Sequence, residues 1–370
     1  MAQLSLTRRT MLGASLLAGA GITLPRMAVA ANQAKRFVFV IQRGAADGLA
    51  LVQPHGDPAL RALRAGLVDD DAHDLDGFFA LHPAMGQVAA MFDGGEAQAW
   101  HAVATDYRER SHFDAQNVLE SGGARPHALD TGWLGRMLPL LPGTPGPLAL
   151  SASVPLAMRG QVNVATYSPN RLPDPSEDLL ARLGTVYAED GQLAPLWEEA
   201  MRTRTLTSDI GAEAGRGGAE VGQLAARLMT ADGGPRVLMI ETGGWDTHFG
   251  QSKRLAQQLR GLDGLLGALK DGLGPVWADT AVLVATEFGR TAAVNGSQGT
   301  DHGTASAALL LGGGLPRGQK VLADWPGLAK GQLYEGRDLR PTGELLGMAT
   351  AAVADHFGVD RDRALAALRG

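Results

Sequence analysis

The sequence predicts a three-layer α/β protein built on a mostly parallel central sheet. Three observations carry that expectation. Short, β-branched apolar runs recur along the chain, and each ends in a polar cluster on a glycine-bearing turn. A leucine-rich amphipathic helix stands between two such runs, which is the pattern of a parallel crossover. With 50 glycines and only 5% aromatic residues, the chain suits close packing of helices on strands. In open parallel sheets ligands bind outside the carboxyl ends of the strands, so the polar clusters mark where function is expected.

In chain order, the first element is an export address. Arg8 and Arg9 form a twin-arginine pair before a moderately apolar stretch, Leu12 to Leu24, and Met27-Ala28-Val29-Ala30-Ala31 supplies a cleavage site near Ala30. The apolar stretch is shorter than the roughly 20 residues a bilayer span needs. Residues 1–30 are therefore expected to be a removable signal read by the twin-arginine translocase, and the protein is expected to be periplasmic or secreted. Residues 31–370 are expected to form one domain with insertions at about 139–235. Loss of three signal arginines takes the net charge from −6 to −9. So acidic a chain is no candidate for nonspecific nucleic-acid binding. It contains no cysteine, which excludes disulfides, thiolate catalysis and thiolate metal sites.

Arg36 to Ile41 reads as the first buried strand, ending in Gln42-Arg43-Gly44-Ala45-Ala46-Asp47-Gly48. The stretch from 53 to 83 is loop-rich, and its acidic run Asp69-Asp70-Asp71 lacks the spaced ligands of a calcium loop and reads as solvated surface. Gln98 to Ala104 is another strand. After it, Ser111 is a natural N-cap with Asp114 at the capping-box position, and the helix runs to a glycine stop at Gly122-Gly123. A helix start can also stabilise a nucleophilic hydroxyl and an anionic substrate. His112 and Asp114 are alternative ligands. The proline-rich segment 139–175 reads as a surface-covering insertion, and 176–231 as helical.

Arg236 to Ile240 is a strand ending in Glu241-Thr242-Gly243-Gly244-Trp245-Asp246-Thr247-His248. Leu255, Leu259, Leu262, Leu265, Leu266 and Leu269 then mark one face of a helix. It leads to the buried run Ala281 to Ala285, which ends in Thr286-Glu287-Phe288-Gly289-Arg290-Thr291. Eleven residues beyond Arg290 comes the sequence Asp301-His302-Gly303, then an apolar run from Ala305 to Leu311. Gly343 to Phe357 closes the chain as a helix over the sheet edge.

The order of these clusters resembles the alkaline phosphatase and sulfatase superfamily. The twin-arginine signal with RGAADGL, SHFDAQ, GGWDTH, EFGRT and DHG is more closely similar to the bacterial family called domain of unknown function 1501, over essentially the whole mature chain. The resemblance implies an alkaline-phosphatase-like fold. It implies Ser111 as nucleophile, Asp246 and His248 as mid-chain metal ligands, Glu287 at the strand-end ligand position and His302 as the final histidine. Departures accompany it. Gln42 stands where the first-strand metal Asp is expected, with Asp47 a substitute from the turn. Phe288 stands where a paired His is expected. Asp246 and His248 are two residues apart instead of four. The sulfatase formylglycine signature is absent.

The chemistry expected is hydrolysis of phosphate or sulfate esters. Ser111 would attack, and one divalent ion, zinc or manganese, would be held by Asp246, His248 and His302 with Glu287. Arg43 and Arg290 would grip the anion. The alternatives are a non-catalytic binder of an anionic ligand or glycan on a degenerate fold, and a purely structural envelope protein.

Overall fold

Strand β1 (Arg36–Gln42) is the centre of the molecule because both of its faces are apolar. Phe37, Phe39 and Ile41 point into one core layer, and Val38 and Val40 into the other. A strand buried on both faces needs helices on both sides, which gives the three layers. The computed structural model describes residues 35–143, 146–168, 177–207, 217–316 and 318–370. The twin-arginine segment and its cleavage site lie outside these residues, as does most of the glycine-rich stretch 211–218.

After β1, α1 (Gly48–Leu51) is capped by Asp47, whose carboxylate accepts the Ala50 N–H. The region expected to be loops holds a small antiparallel sheet, β2 (Val52–Gln53), β3 (His73–Asp74) and β4 (Ala80–Leu81), with the short α2 (Leu60–Leu63) between. Helix α3 (Gly86–Asp93) leads into β5 (Ala97–Ala104). Helix α4 (His112–Ser121) follows Ser111 and stops where Gly122 turns left-handed at φ 73°, as its sequence dictates. Ser111 holds the N-cap position without a side-chain capping bond, so the capping box expected there is not formed.

Helix α5 (Trp133–Met137) precedes β6 (Leu148–Leu150) and β7 (Ala165–Thr166). The proline-rich segment is thus more than surface cover: β6 pairs in parallel with the central sheet. Its Leu148 and Ala149 are buried, and three apolar residues are enough to extend a sheet edge. Helices α6 (Glu177–Tyr187), α7 (Leu193–Thr207) and α8 (Gly218–Thr230) lead to β8 (Val237–Thr242). The leucine helix is α9 (Gln251–Leu273), and it delivers the chain to β9 (Thr280–Thr286). Then come β10 (Ser306–Leu311), β11 (Val321–Leu322), β12 (Gly343–Glu344), α10 (Leu345–Phe357) and α11 (Arg361–Arg369). No described helix is long and apolar enough to cross a membrane.

The nine-stranded sheet has the order β11-β5-β10-β9-β1-β8-β6-β7, with β12 beside β5. All its pairings are parallel except those of β10, which is antiparallel to β9 and to β5. This topology positions the site. Gln42 is level with Thr242 and with Thr286, so β1, β8 and β9 end together. Because β10 opposes both neighbours, β5 ends at that same edge and β10 begins there. Four polar segments, after β1, β5, β8 and β9, and a fifth before β10, therefore meet at one edge.

A buried histidine on β5 makes the fold acid-sensitive. His101 Nε2–H donates to Val52 O at 2.8 Å, and its Nδ1 accepts the Ala102 N–H at 2.7 Å. Its ring stacks on Phe79 with centroids 5.3 Å apart. Both nitrogens are satisfied only in the neutral ring, and burial pushes the pKa down to about 4. The unfolded value is about 6.5. A folded pKa below the unfolded one gives stability that is present above about pH 6.5 and lost as pH falls toward 4. Two pH units in that window correspond to about 2–3 kcal/mol. His356, also pushed to about 4 by burial, acts in the same direction. Urea unfolding at stepped pH should show a shallower pH slope in a His101→Gln variant than in the parent. Equal slopes would remove His101 from the account.

Candidate metal centre

Three imidazoles converge at this edge, each delivered by a different segment. His112 is the first residue of α4, His248 lies in the loop after β8, and His302 lies before β10. His302 Nε2 is 3.0 Å from His112 Nε2 and 3.0 Å from His248 Nε2. Asp246 completes the group: its Oδ1 is 3.0 Å from His248 Nε2 and 3.4 Å from His302 Nε2, and its Oδ2 is 3.6 Å from His112 Nε2. Ligand atoms of His112, Asp246 and His302 all lie within 4.8 Å of one another.

The opposite ring nitrogens decide the protonation. His112 Nδ1 faces Glu287 Oε1 at 2.8 Å, and His248 Nδ1 faces Asp301 Oδ1 at 3.1 Å. His302 Nδ1 faces the Arg110 carbonyl at 3.0 Å. Carboxylate and carbonyl oxygens only accept, so each Nδ1 carries a proton, and a ring that carries that proton alone presents a bare Nε2 lone pair. Three lone pairs and a carboxylate aimed at one another repel unless a cation lies among them. Carboxylate or carbonyl acceptors on the far nitrogen are also what orients metal-bound histidines. Tetrahedral zinc with nitrogens at about 2.0–2.1 Å sets its donors roughly 3.3 Å apart, close to the spacings found. The residues present therefore fit a divalent ion.

The surroundings hold the donors in place. Phe288 is buried and stacks on His112 with centroids 5.0 Å apart, and it lies 5.3 Å from the His302 ring. The residue that replaces an expected histidine thus backs two others. Glu287 Oε1 also accepts Gly44 N–H at 2.8 Å and Gln116 Nε2–H at 3.0 Å, and its Oε2 accepts the Thr286 hydroxyl at 2.9 Å. Gly44 has φ 117°, and a Cβ there would stand 2.8 Å from Asp246 N, so only glycine allows this approach. The loops before and after are tied as well: Arg290 and His302 form an antiparallel bridge, and Gly303 N–H donates to Gly289 O at 2.8 Å.

The electrostatics follow these contacts. Burial opposes ionisation of Asp246, but the Arg290 guanidinium outweighs it and holds the carboxyl below its ordinary range. Burial opposes ionisation of Glu287 too, and bonds from His112, Gln116 and Gly44 overcome it. The hydrogen bond to Glu287 raises the His112 pKa, whereas burial and the charge of His112 lower that of His302.

Of the residues singled out in the sequence, Asp246, His248 and His302 meet. Glu287 does not face the shared space; it holds His112 from behind. Asp47 is not a ligand, because its buried carboxylate is paired with Arg64 at 2.7 Å and accepts from Gln251. Arg43 is likewise paired with carboxylates. Its guanidinium is neutralised by Glu120 at 2.8 Å and Glu241 at 2.5 Å. Arg290 is buried and donates to Asp246 Oδ1 at 2.6 Å and to Thr300, so its guanidinium is taken up by these partners. Ser111 stands between Arg110, whose carbonyl holds His302, and His112. Gln42 is buried, and neither of its amide atoms has a hydrogen-bond partner. His112 was only one of several options in the sequence. The signal for it was its spacing from Gln116: i and i+4 on one helix face reach the same carboxylate. Beyond Asp301 opens a cavity of about 420 Å³, with Leu63, Val294, Leu328 and Leu333 in its lining beside the cations Lys330 and Arg337.

Residues 71–340 match the family described as protein of unknown function (DUF1501). No curated protein matches the chain by sequence. Several solved structures are similar in fold. The C-terminal periplasmic domain of EcEptC from Escherichia coli, in complex with Zn, is 8% identical with a TM-score of 0.38, covering 75% of this chain and 73% of that one. A protein in the alkaline phosphatase superfamily from Vibrio parahaemolyticus is 13% identical with a TM-score of 0.40, covering 88% and 67%. The alkaline phosphatase of the Antarctic bacterium TAB5 is 9% identical with a TM-score of 0.35, covering 75% and 91%. At this identity and overlap the likeness is one of α/β architecture, not of chemistry.

Proposed function

We propose, for a chain that belongs to the DUF1501 family of proteins of unknown function, that it is an exported, metal-dependent hydrolase of phosphate or sulfate esters. The observation that carries the reading is the convergence of three bare Nε2 atoms on the Asp246 carboxylate. His112, His248, His302 and Asp246 would hold one ion, and a three-imidazole, one-carboxylate set favours zinc. Such an ion supplies Lewis-acid polarisation of an ester oxygen and a lowered pKa for a neighbouring hydroxyl.

Ser111 is the nucleophile in this reading. It precedes His112 at the start of α4, and its side chain is not used to cap the helix. The first-turn N–H groups of α4 and the helix dipole favour a negatively charged oxygen there. The Ser111 Oγ bonds phosphorus or sulfur as the bond to the ester oxygen breaks, its proton passing through solvent to that oxygen so that the alcohol leaves; water then adds to phosphorus or sulfur, the bond to Oγ breaks, and one water proton restores the Ser111 hydroxyl as the anion is released. Asp246, fixed by Arg290, and His112, fixed by Glu287, keep the donors in place throughout. With Arg43 and Arg290 neutralised and Arg337 beside Asp338, Lys330 in the lining of the cavity beyond Asp301 is the cation placed to draw in an anion.

The test is a panel of phosphate and sulfate monoesters presented to the zinc-loaded protein and to Ser111→Ala. Turnover should require zinc and fall about 10³-fold or more in Ser111→Ala, with zinc content unchanged. Undiminished turnover in the variant would remove Ser111 from its role. One observation favours a second reading, a non-catalytic binder: four protein donors fill a tetrahedral shell, as structural sites do. Zinc and anion binding without turnover of any ester would favour it.

A further inference from the structure

The cavity of about 420 Å³ beyond Asp301 has an apolar wall and one uncommitted charge. Leu328 and Leu333 are buried members of a core cluster and Leu63 packs against it, so the fold itself sets the wall. Most of the polar lining is already taken. Thr291 donates its hydroxyl to Ala293 O at 2.9 Å and accepts the Asp301 N–H at 3.1 Å. The Asn295 amide donates to His248 O and Asp301 Oδ1, and accepts from the Ser297 and Gly299 N–H groups. Arg337 donates to His302 O at 2.7 Å and lies 3.7 Å from Asp338. Lys330 is exposed and, among the described residues, has no carboxylate partner. Two lining residues also serve the metal centre: Asp301 accepts from His248 Nδ1 at 3.1 Å, and Arg337 holds the His302 carbonyl.

We infer that this cavity is a second ligand site, for a short-chain monocarboxylate, and that its occupancy strengthens metal binding. It goes beyond the hydrolase reading, in which Lys330 only attracts the substrate. An apolar wall beside one free ammonium group matches a ligand with an apolar body and a single negative charge. A phosphate dianion calls for more donors than Lys330 and a partly engaged Arg337 supply, and Asp301 repels its second charge. An amide or a sugar finds few free partners on this lining, and a buried polar group without partners is costly. At about 420 Å³ the cavity stands near the small end of ligand pockets, which limits the apolar body to a short chain. The coupling follows from the shared residues. A carboxylate held at Lys330 adds negative charge behind the residues that hold His248 and His302, and that charge favours a divalent cation among the imidazoles. By linkage the ion strengthens carboxylate binding by the same factor.

The experiment is titration calorimetry of the full chain, metal-free and zinc-loaded, with hexanoate, acetate, hexanol, N-acetylleucine and inorganic phosphate. Hexanoate and hexanol are repeated with Lys330→Ala, a change at an exposed position. In the metal-free parent, hexanoate should bind about tenfold or more tighter than acetate, which lacks the apolar body, and than hexanol, which lacks the charge. Lys330→Ala should weaken hexanoate about fivefold or more and leave hexanol unchanged. Zinc should tighten hexanoate about threefold or more in the parent, and the gain should vanish in Lys330→Ala. Hexanoate no tighter than acetate, or undiminished in Lys330→Ala, would overturn the site. Phosphate bound as tightly as hexanoate by the metal-free chain would overturn the ligand class, and N-acetylleucine as the tighter ligand would replace the free acid with a peptide C-terminus. Equal hexanoate affinity with and without zinc would remove the coupling and leave the site. A zinc gain that persists in Lys330→Ala would mean direct coordination to the ion and would also remove the coupling. None of these outcomes depends on turnover of an ester, so the site and the hydrolase reading fail separately.

Discussion

His302→Ala is expected to abolish zinc binding and, with it, zinc-dependent thermal stabilisation. His302 Nε2 is the atom closest to both other imidazoles, so its loss opens the donor set at its centre. Zinc at about 100–1,000 times its Kd stabilises the parent by about 3–4 kcal/mol. At about 2.1 cal/mol/K per residue over roughly 340 residues, that raises the melting temperature by about 4–6 °C. The variant should show no such shift on adding zinc and no metal by mass spectrometry. Glu287→Gln tests the outer contacts. It keeps all four donors but weakens the acceptor behind His112, and should lower affinity about 10–100-fold without abolishing binding. Affinity should also fall as pH falls, because protons compete for the Nε2 atoms. His112, whose pKa is raised by its bond to Glu287, takes a proton before His302, whose pKa burial lowers. Stoichiometric zinc in His302→Ala, or a folded parent that never binds a divalent ion, would overturn the centre.

The sequence made the sheet legible because its central strands are buried on both faces. Runs such as Val38–Ile41 and Ala281–Ala285 have no amphipathic ambiguity, and Leu255–Leu269 states its own helix. It also placed Asp246, His248 and His302, because each follows or precedes such a run. Partner choice was not legible. Asp47 and Arg43 share a glycine-bearing turn with the right chemistry, yet pairing depends on residues far off in the chain. Arg64 meets Asp47 through the small β2–β4 sheet region, where no periodic pattern announces structure. Glu120 and Glu241 meet Arg43 from two separate elements. The contribution of β6 was hidden for a related reason: three apolar residues among prolines carry no periodicity to read.

The buried pair Arg64–Asp47 is where the second large effect is expected. Arg64 is fully buried, and its guanidinium meets Asp47 at 2.7 Å, Thr291 O at 2.7 Å and Ala292 O at 3.1 Å. Removing it by Arg64→Met leaves a carboxylate and two carbonyls without their donor, and should destabilise the fold by about 3–5 kcal/mol. The double variant Asp47→Leu/Arg64→Met should recover much of that loss, since it leaves no uncompensated charge. The effect should also reach the metal centre. Asp47 accepts from Gln251, whose amide oxygen accepts the Thr300 hydroxyl at 2.6 Å; Arg290 Nε–H donates to that hydroxyl at 3.1 Å and also holds Asp246. Arg64→Met should therefore weaken zinc binding by letting the Asp47 carboxylate shift, although Arg64 touches no ligand, and the double variant should not restore it, because there Gln251 loses the Asp47 oxygen altogether. Urea unfolding and zinc titration of the same three proteins separate the two consequences. Stability within about 1 kcal/mol of the parent in Arg64→Met would mean that water replaces the guanidinium, and that the pair is not what holds this part of the core.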